Sequence, residues 1–454
     1  MPPMEWKQLL SHKRLGKDQC PELVRGRSPF QQDYDRIIFS SAFRRLQDKT
    51  QVFPLAENDY IRTRLTHSLE ASCVGRSLGS LAGVHLCANY DLGALEPADV
   101  GAIVAAASLA HDIGNPPLGH SGEEAIRHWF MNSPIAAAFK DKLSHAEKAD
   151  IEQYEGNAQG FRVLTRLQMP DNKGGMQLSC ATLGAFVKYP GESTAVGIPD
   201  AFSKKFNFFQ HDKAAFEEVA DVTGLIKLDA ANDIWLRHPL AFLVEAADDV
   251  CYTIIDFEDG HQLGLISYDE LERAYTDITG PLKRELEMQE NQRKAEFLRA
   301  MALNTLIEQL NECFIANESK MLTGEFTRSL TDEIPAAAAL KYIIKRSRED
   351  VYSYRRAIEI EVAGYEFTTG LLDVFSAAVN DIAENGENKA SYKSRKIFAL
   401  LPEQFRGKGD DAHEWKSSYY VRLLNVLDFI CGMTDSYAVS LYKKIKGISL
   451  PGMP

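Results

Sequence analysis

Paired cysteines, long apolar runs and glycine-rich phosphate loops are all missing from this chain of 454 residues. Its seven cysteines (Cys20, Cys73, Cys87, Cys180, Cys251, Cys313 and Cys431) are scattered and form no C-x-x-C pair. Zinc-ribbon and thioredoxin-type chemistry are therefore excluded. No window approaches the about 18 consecutive apolar residues that a membrane span requires. The start, Met1-Pro2-Pro3-Met4-Glu5-Trp6-Lys7, lacks the apolar core of a signal peptide. Together these absences predict a protein of the reducing cytoplasm with no membrane partner. Positive charge is also in short supply: 51 Lys and Arg against 64 Asp and Glu leave a formal net charge of -13. That balance argues against a broad duplex-DNA footprint, but leaves room for a few clustered cations around a small anion. Neither a Walker A loop nor a G-x-G-x-x-G turn occurs, so backbone cradling of phosphates in those styles is excluded.

What is present is helical periodicity. Ile103, Val104, Ala107 and Ala110 recur at helical spacing, as do Leu65, Leu69, Val74, Leu78 and Leu81, and again Leu240, Leu243, Val244 and Ala247. Strand-like alternation is scarce and short. Gly174-Gly175 and residues 190–193 mark loops, long charged helices are predicted across 266–320, and 384–389 reads as an exposed connection. The expected fold is mainly α, a helical bundle with a helical C-terminal extension.

Chemistry concentrates at Ser108-Leu109-Ala110-His111-Asp112-Ile113-Gly114-Asn115-Pro116-Pro117. An aspartate closing an Ala-rich, buried helix is costly unless something compensates its charge, and a divalent cation would do so. An isolated His-Asp pair is more often a simple helix-end cap, so its company matters. Upstream, His67 lies on an amphipathic helix with Arg64 one turn before it on the same face. Downstream, Asp248, Tyr252 and Asp256 are spaced i, i+4, i+8 and line one helix face, which continues through Leu240 and Val244 and so points inward. Asp249 lies about 100° away around that helix and reads as a solvated or structural acid. His67, His111, Asp112 and Asp248 are thus the candidate metal ligands. Their mixed imidazole and carboxylate donors suit one divalent ion (Mn, Mg, Fe, Co or Zn).

The ligand order His67, His111-Asp112, Asp248 is that of the HD superfamily. Longer blocks narrow the likeness. Residues 27–54, 62–70, 111–124, 155–162, 188–190, 245–249 and 432–438 together resemble the bacterial deoxyguanosinetriphosphate triphosphohydrolase (dGTPase) family over nearly the whole chain. The resemblance implies an HD-domain helical bundle. It divides the chain into an N-terminal helical segment, 1–60, contributing to the nucleotide site, a catalytic domain, 61–257, with inserted loops around 130–235, and a helical C-terminal region, 258–454, at an oligomer interface. It also implies hydrolysis of a deoxynucleoside triphosphate (dNTP), dGTP by default, to the deoxynucleoside and inorganic tripolyphosphate.

The resemblance extends to site residues. It implies His120 and Glu123 as the acid–base pair, with the detailed role of His120 open. Ser121-x-x-Glu124 reads as a capping box, which gives Glu124 a structural task and leaves Glu123 to orient His120. Arg64 is placed to meet a phosphate with its fork of donors. Lys188 and Tyr189 match a phosphate-binding pair, Tyr252 packs near the sugar, Asp256 accepts from the 3′-hydroxyl, and Gln51 reads the base edge. Asn115 is a poor ligand where two-metal relatives carry an additional one, which favours a mononuclear site. Family members are commonly oligomeric, often hexameric, so a homo-oligomer is expected, with single-stranded DNA or a second dNTP as an effector. Lys341–Arg356, basic with interleaved tyrosines, could stack single strands but reads better as a solvated helix face. The rival readings are an HD phosphatase or phosphodiesterase on another nucleotide, and a non-catalytic regulator responsive to nucleotide or single-stranded DNA.

Overall fold

A computed structural model describes residues 2–23, 26–51, 62–197, 205–229, 233–282, 290–407 and 412–448. Residues 52–54 of the first resemblance block lie outside them. The chain is mainly α, as expected. The helices that build the site and its surroundings are α1 (Pro29–Ile38), α2 (Ser41–Arg45), α3 (Arg64–Asn89), α4 (Pro97–Ala110), α5 (His120–Asn132), α6 (Gly156–Arg162), α7 (Pro239–Gln262), α8 (Tyr268–Thr279), α9 (Asn291–Thr323), α10 (Arg355–Asn385), α11 (Tyr419–Cys431) and α12 (Asp435–Ile445). Strand is confined, among the described residues, to an antiparallel pair, β1 (Lys227–Asp229) and β2 (Ile234–Trp235), in which Lys227 faces Trp235. No described helix is long and apolar enough to cross a membrane.

The site begins with the antiparallel packing of α3 and α4. Gly75, Gly79 and Gly83 are spaced i, i+4, i+8 on α3. A Cβ on each would fall 2.5 Å from Ser108 Oγ, 2.8 Å from the Val100 carbonyl and 2.6 Å from the Pro97 carbonyl. Only glycine permits so close an approach, which brings the start of α3 alongside the end of α4. The apolar run of α4 is buried all along, as Ile103, Val104, Ala107 and Ala110 predict. On α3 the expected stripe holds through Val74 and Leu78 but fails at Leu81, which is 41% exposed. The reason is that the contact face of α3 passes through its glycines and on to Ala82 and Leu86.

Helix α7 crosses α3 and α4, and is buried around most of its circumference from Pro239 to Gly260. His238 caps it: its Nδ1 accepts from the Leu240 amide while Nε2 meets the Leu9 carbonyl at 3.0 Å, tying the N-terminal segment to the helix. Helix α9 packs on the outer side of α7, so the charged helices expected across 266–320 are α8 and α9. A second apolar cluster joins α5, α10, α11 and α12. Buried Arg162 at the end of α6 clamps it to α11 through Asp428, with Nε–Oδ1 and Nη2–Oδ2 distances of 2.9 Å, and also reaches Asp212.

Candidate metal centre and nucleotide pocket

Because α3 starts where α4 ends, and α7 passes both, three side chains converge. Atoms of His67, His111 and Asp248 lie within 4.8 Å of one another. His67 Nε2 is 3.2 Å and His111 Nε2 3.4 Å from the same Asp248 Oδ1, and the two rings meet edge-on with centroids 5.1 Å apart. His111 Nδ1 lies 2.7 Å from the Ser108 carbonyl, which fixes its proton there and turns the Nε2 lone pair towards the cluster. Asp112 joins less tightly, its Oδ2 standing 3.5 Å from His111 Nε2. Burial would raise both aspartates. Arg64 and the two imidazoles override it and hold Asp112 at about 2, and the imidazoles with Lys188 hold Asp248 lower still. Neighbouring anions beside two lone-pair nitrogens, one of them oriented by its backbone partner, are a donor set that fits a divalent cation.

Arg64 is drawn into this centre. Its Nη1 donates to Asp112 Oδ2 at 2.7 Å, while the Asn115 amide donates to Asp112 Oδ1. The arginine expected at a phosphate therefore holds a candidate ligand in this structure, although its buried Nε meets no acceptor among the described residues. Arg64 also runs beneath Gly119: a Cβ there would lie 2.2 Å from Nη2, and the backbone has φ +55°. This position admits glycine for both reasons. It also sets the start of α5 directly beside the Arg64–Asp112 pair.

His120 opens α5, and its exposed ring contacts Glu123 through Nδ1–Oε2 at 2.8 Å. Glu123 is buried and its second oxygen accepts from the Gly156 amide at 2.7 Å. Burial opposes its charge, but His120, Lys205 and that amide outweigh the penalty and keep it below its ordinary value. The pair faces a cavity of about 230 Å³ that Lys205 and Arg127 also line. The expected capping box is not formed. Gly119, not Ser121, stands at the N-cap, and Glu124 pairs instead with Arg127.

On the opposite flank, Lys188 Nζ lies 3.4 Å from Glu245 Oε1 and 5.8 Å from the Tyr189 ring centre. Burial works against its charge, yet Glu245 and the neighbouring acids, Asp248 among them, push its pKa above the usual lysine range. Tyr252 and Asp256 share the expected face of α7. Asp256 is buried, and that burial pushes its carboxyl up to about 8. Asp249 lies off this face, where it accepts from Ser329 and Thr331, the structural role expected of it. Gln51 is half-buried at the edge of the described residues, and its buried Oε1 has no partner among them.

The sequence reading missed Tyr352. Its ring stacks on Tyr252, with centroids 5.6 Å apart and planes at 25°, and its hydroxyl donates to Asp256 Oδ2 at 3.2 Å. It follows a π-helical turn, Ser347–Val351, within the segment read as a solvated face. The only available signal was the tyrosines interleaved in that basic stretch. Arg62 was also left without a role. It donates to Glu70, Glu258 and Asp259, bracing the start of α3 against the end of α7.

No family model matches the chain. Whole-length relatives do. A deoxyguanosinetriphosphate triphosphohydrolase-like protein of Synechocystis sp. is 42% identical, covering 98% of this chain and 100% of its own length. A protein of the same description from Pseudomonas aeruginosa is 40% identical over 99% and 100%. A deoxyguanosinetriphosphate triphosphohydrolase of Yersinia enterocolitica is 31% identical over 92% and 93%. Identity of this extent along the entire chain leads to one conclusion: the protein belongs to the deoxyguanosinetriphosphate triphosphohydrolase family of hydrolases.

Proposed function

We propose that the protein is a metal-dependent dNTP triphosphohydrolase with an HD-type centre, which converts dGTP to deoxyguanosine and inorganic tripolyphosphate. The observation that carries this reading is the His67–His111–Asp248 cluster, with Lys188 near Asp248, Arg64 on the adjacent Asp112, and the Tyr252–Asp256–Tyr352 group along the helix that carries Asp248. These three residues and Asp112 would hold a divalent ion, which would supply Lewis-acid chemistry towards the phosphates.

The chain's own residues do the remainder. Lys188 and Arg64 bring positive charge to the phosphates. Tyr252 presents a ring to the sugar, and Asp256, steadied by the Tyr352 hydroxyl, accepts from the 3′-hydroxyl. Such an added donor favours the ionised carboxylate and lowers a pKa that burial has raised. Gln51 offers a base edge an amide oxygen that has no partner among the described residues. Water attacks the α-phosphorus, the bond from that phosphorus to the 5′-oxygen breaks, and the 5′-oxygen takes up a proton. On this reading His120, held by Glu123, takes part in moving that proton.

Anion-exchange separation of the products from all four dNTPs tests this with Mn²⁺ present, and with metal content measured on the same sample. Tripolyphosphate from dGTP, abolished in His111→Ala, is expected. Orthophosphate as the sole inorganic product would favour the phosphatase reading. Equal turnover by the variant would point to a contaminant.

A further inference from the structure

Residues 205–209 run Lys-Phe-Asn-Phe-Phe, and the asparagine in this aromatic stretch is fully buried. Its neighbours explain why the segment is fixed. Phe206 and Phe209 belong to the apolar cluster around α10 and α11, while Phe208 belongs to the core around α3, α4 and α7. There Phe208 stacks on Phe216 with centroids 4.6 Å apart. The chain is thus pinned on both sides of Asn207. Gln210 adds a backbone anchor, its amide donating to buried Asp150 at 2.7 Å. A primary amide inside such a stretch is costly unless both its ends are hydrogen-bonded.

Both ends are used, and on different flanks of the nucleotide pocket. Asn207 Oδ1 accepts from the Tyr189 amide at 2.8 Å, and Nδ2 donates to the Asn157 carbonyl at 3.2 Å. Its own backbone amide donates to the Gly191 carbonyl at 3.4 Å. One side-chain partner is a fixed donor and the other a fixed acceptor, so the position needs a group that carries both. An ionised aspartate lacks the donor, and leucine lacks both. Tyr189 follows Lys188, which sits on Glu245. Asn157 follows Gly156, whose amide donates to Glu123 at 2.7 Å, and Glu123 in turn holds His120. Two residues before Asn207, Lys205 Nζ lies 3.2 Å from Glu155 Oε2, a second tie to this same flank.

We propose that Asn207 is a positioning residue for the hydrolysis, a strut that fixes the Lys188–Tyr189 flank of the pocket relative to the Glu123–His120 flank. The inference rests on the roles proposed above for Lys188 and His120. Because its side chain is engaged by two backbone groups, Asn207 acts through them and not on the nucleotide. Without it, Glu245 still holds Lys188 and Glu123 still holds His120, but their separation is no longer set by this link. Such a loss of registry is read in kcat more than in KM, since a misplacement of about 1 Å can cost about a hundredfold in rate.

Steady-state kinetics of dGTP cleavage in Mn²⁺, and hydrogen exchange resolved to the Tyr189 amide, test this on the full chain in Asn207→Asp, Asn207→Leu and Phe216→Leu. The aspartate keeps the bond from Tyr189 and loses the one to Asn157, and the leucine loses both. Phe216→Leu loosens the packing of the same segment and leaves both bonds in place. In both Asn207 variants kcat should fall about tenfold or more with KM within about threefold of wild type, while Phe216→Leu keeps both within about twofold. Exchange at Tyr189 should quicken about tenfold or more in Asn207→Leu and stay near the wild-type rate in Asn207→Asp. If Asn207→Leu does not fold, the kinetics of Asn207→Asp carry the test. An unchanged kcat in Asn207→Asp, a fall matched by Phe216→Leu, or unchanged Tyr189 exchange in Asn207→Leu would each overturn the proposal and leave the proposed function standing. Wild type that releases no tripolyphosphate from dGTP would remove the proposed function, and the positioning role with it.

Discussion

Replacing Arg64 by methionine should reveal whether the Asp112 cluster is built for a cation. In the structure the Arg64 guanidinium is the fixed positive charge on buried Asp112, at 2.7 Å, and it is the leading cation holding that carboxylate at about 2. Methionine keeps much of the apolar stem and removes the charge. Breaking a buried pair from one side costs about 3–5 kcal/mol, because the surviving charge is left uncompensated. In EDTA, Arg64→Met should therefore lower the unfolding free energy by about that amount. With saturating Mn²⁺ the ion supplies the missing counter-charge, so the loss should shrink to about 1–2 kcal/mol, the scale of one hydrogen bond to a charged group. Urea unfolding of wild type and variant, each with EDTA and with Mn²⁺, gives the four free energies. An equal loss in both conditions would refute the reasoning, since Arg64 would then be supporting packing rather than sharing Asp112 with a cation. No loss in EDTA would show that the pair is not needed at all.

His238 gives the fold a pH dependence of known sign. Burial holds its imidazole down at about 4, only partly offset by the Leu9 carbonyl, so between about pH 6.5 and 4 the unfolded chain binds the proton first. Stability should fall as pH drops through that window by up to about 1.4 kcal/mol per unit from this group; His238→Asn, which can keep both hydrogen bonds, should flatten the urea midpoint against pH by that share. If the slopes of wild type and the His238→Asn variant are parallel, the imidazole is not titrating on unfolding. Tyr352→Phe removes the donor to Asp256 but keeps the ring on Tyr252, and should raise KM for dGTP about tenfold with a smaller change in kcat. An unaltered KM in both Tyr352→Phe and Tyr352→Ala would exclude this residue from the sugar pocket.

The geometry that could be read in advance is the geometry that local spacing controls. His111 and Asp112 are adjacent, and Asp248, Tyr252 and Asp256 repeat at one helical turn, so their faces follow from 3.6 residues per turn once α4 and α7 are recognised. Features resting on a break in that period were hidden. The π-helical turn at Ser347–Val351 shifts the phase just before Tyr352, and its partner Asp256 is 96 residues away. At the start of α5 a positive-φ glycine begins the helix at His120, which leaves Ser121 inside the first turn rather than at its cap. Arg64 was given its face but not its Asp112 partner, because helical spacing says where a side chain points and not which anion it meets.

That pairing of Arg64 bears on metal removal. In the fixed charges around the pocket, Arg64 is paired with Asp112, and Arg237 and Lys188 both lie on Glu245. Among the described residues, Asp248 has only the two imidazoles within ion-pair distance. Counting these groups with neutral imidazoles, the acids Asp112, Glu245 and Asp248 meet the cations Arg64, Lys188 and Arg237, so the protein alone offers a polyphosphate no net positive charge. A divalent ion at His67, His111, Asp112 and Asp248 would change that balance by two charges, leaving the donors of Arg64 that Asp112 does not use for phosphate. Nucleotide affinity should therefore depend on the ion, and not only turnover. Equilibrium dialysis of dGTP with the protein in EDTA, and with His111→Ala in Mn²⁺, should show binding weakened about a hundredfold or more relative to wild type in Mn²⁺, corresponding to about 2.7 kcal/mol. Deoxyguanosine, which carries no phosphate, should bind all three alike. Equal dGTP affinity in EDTA and Mn²⁺ would mean that Lys188 and Arg64 already suffice, and that the ion acts on the reacting phosphorus alone.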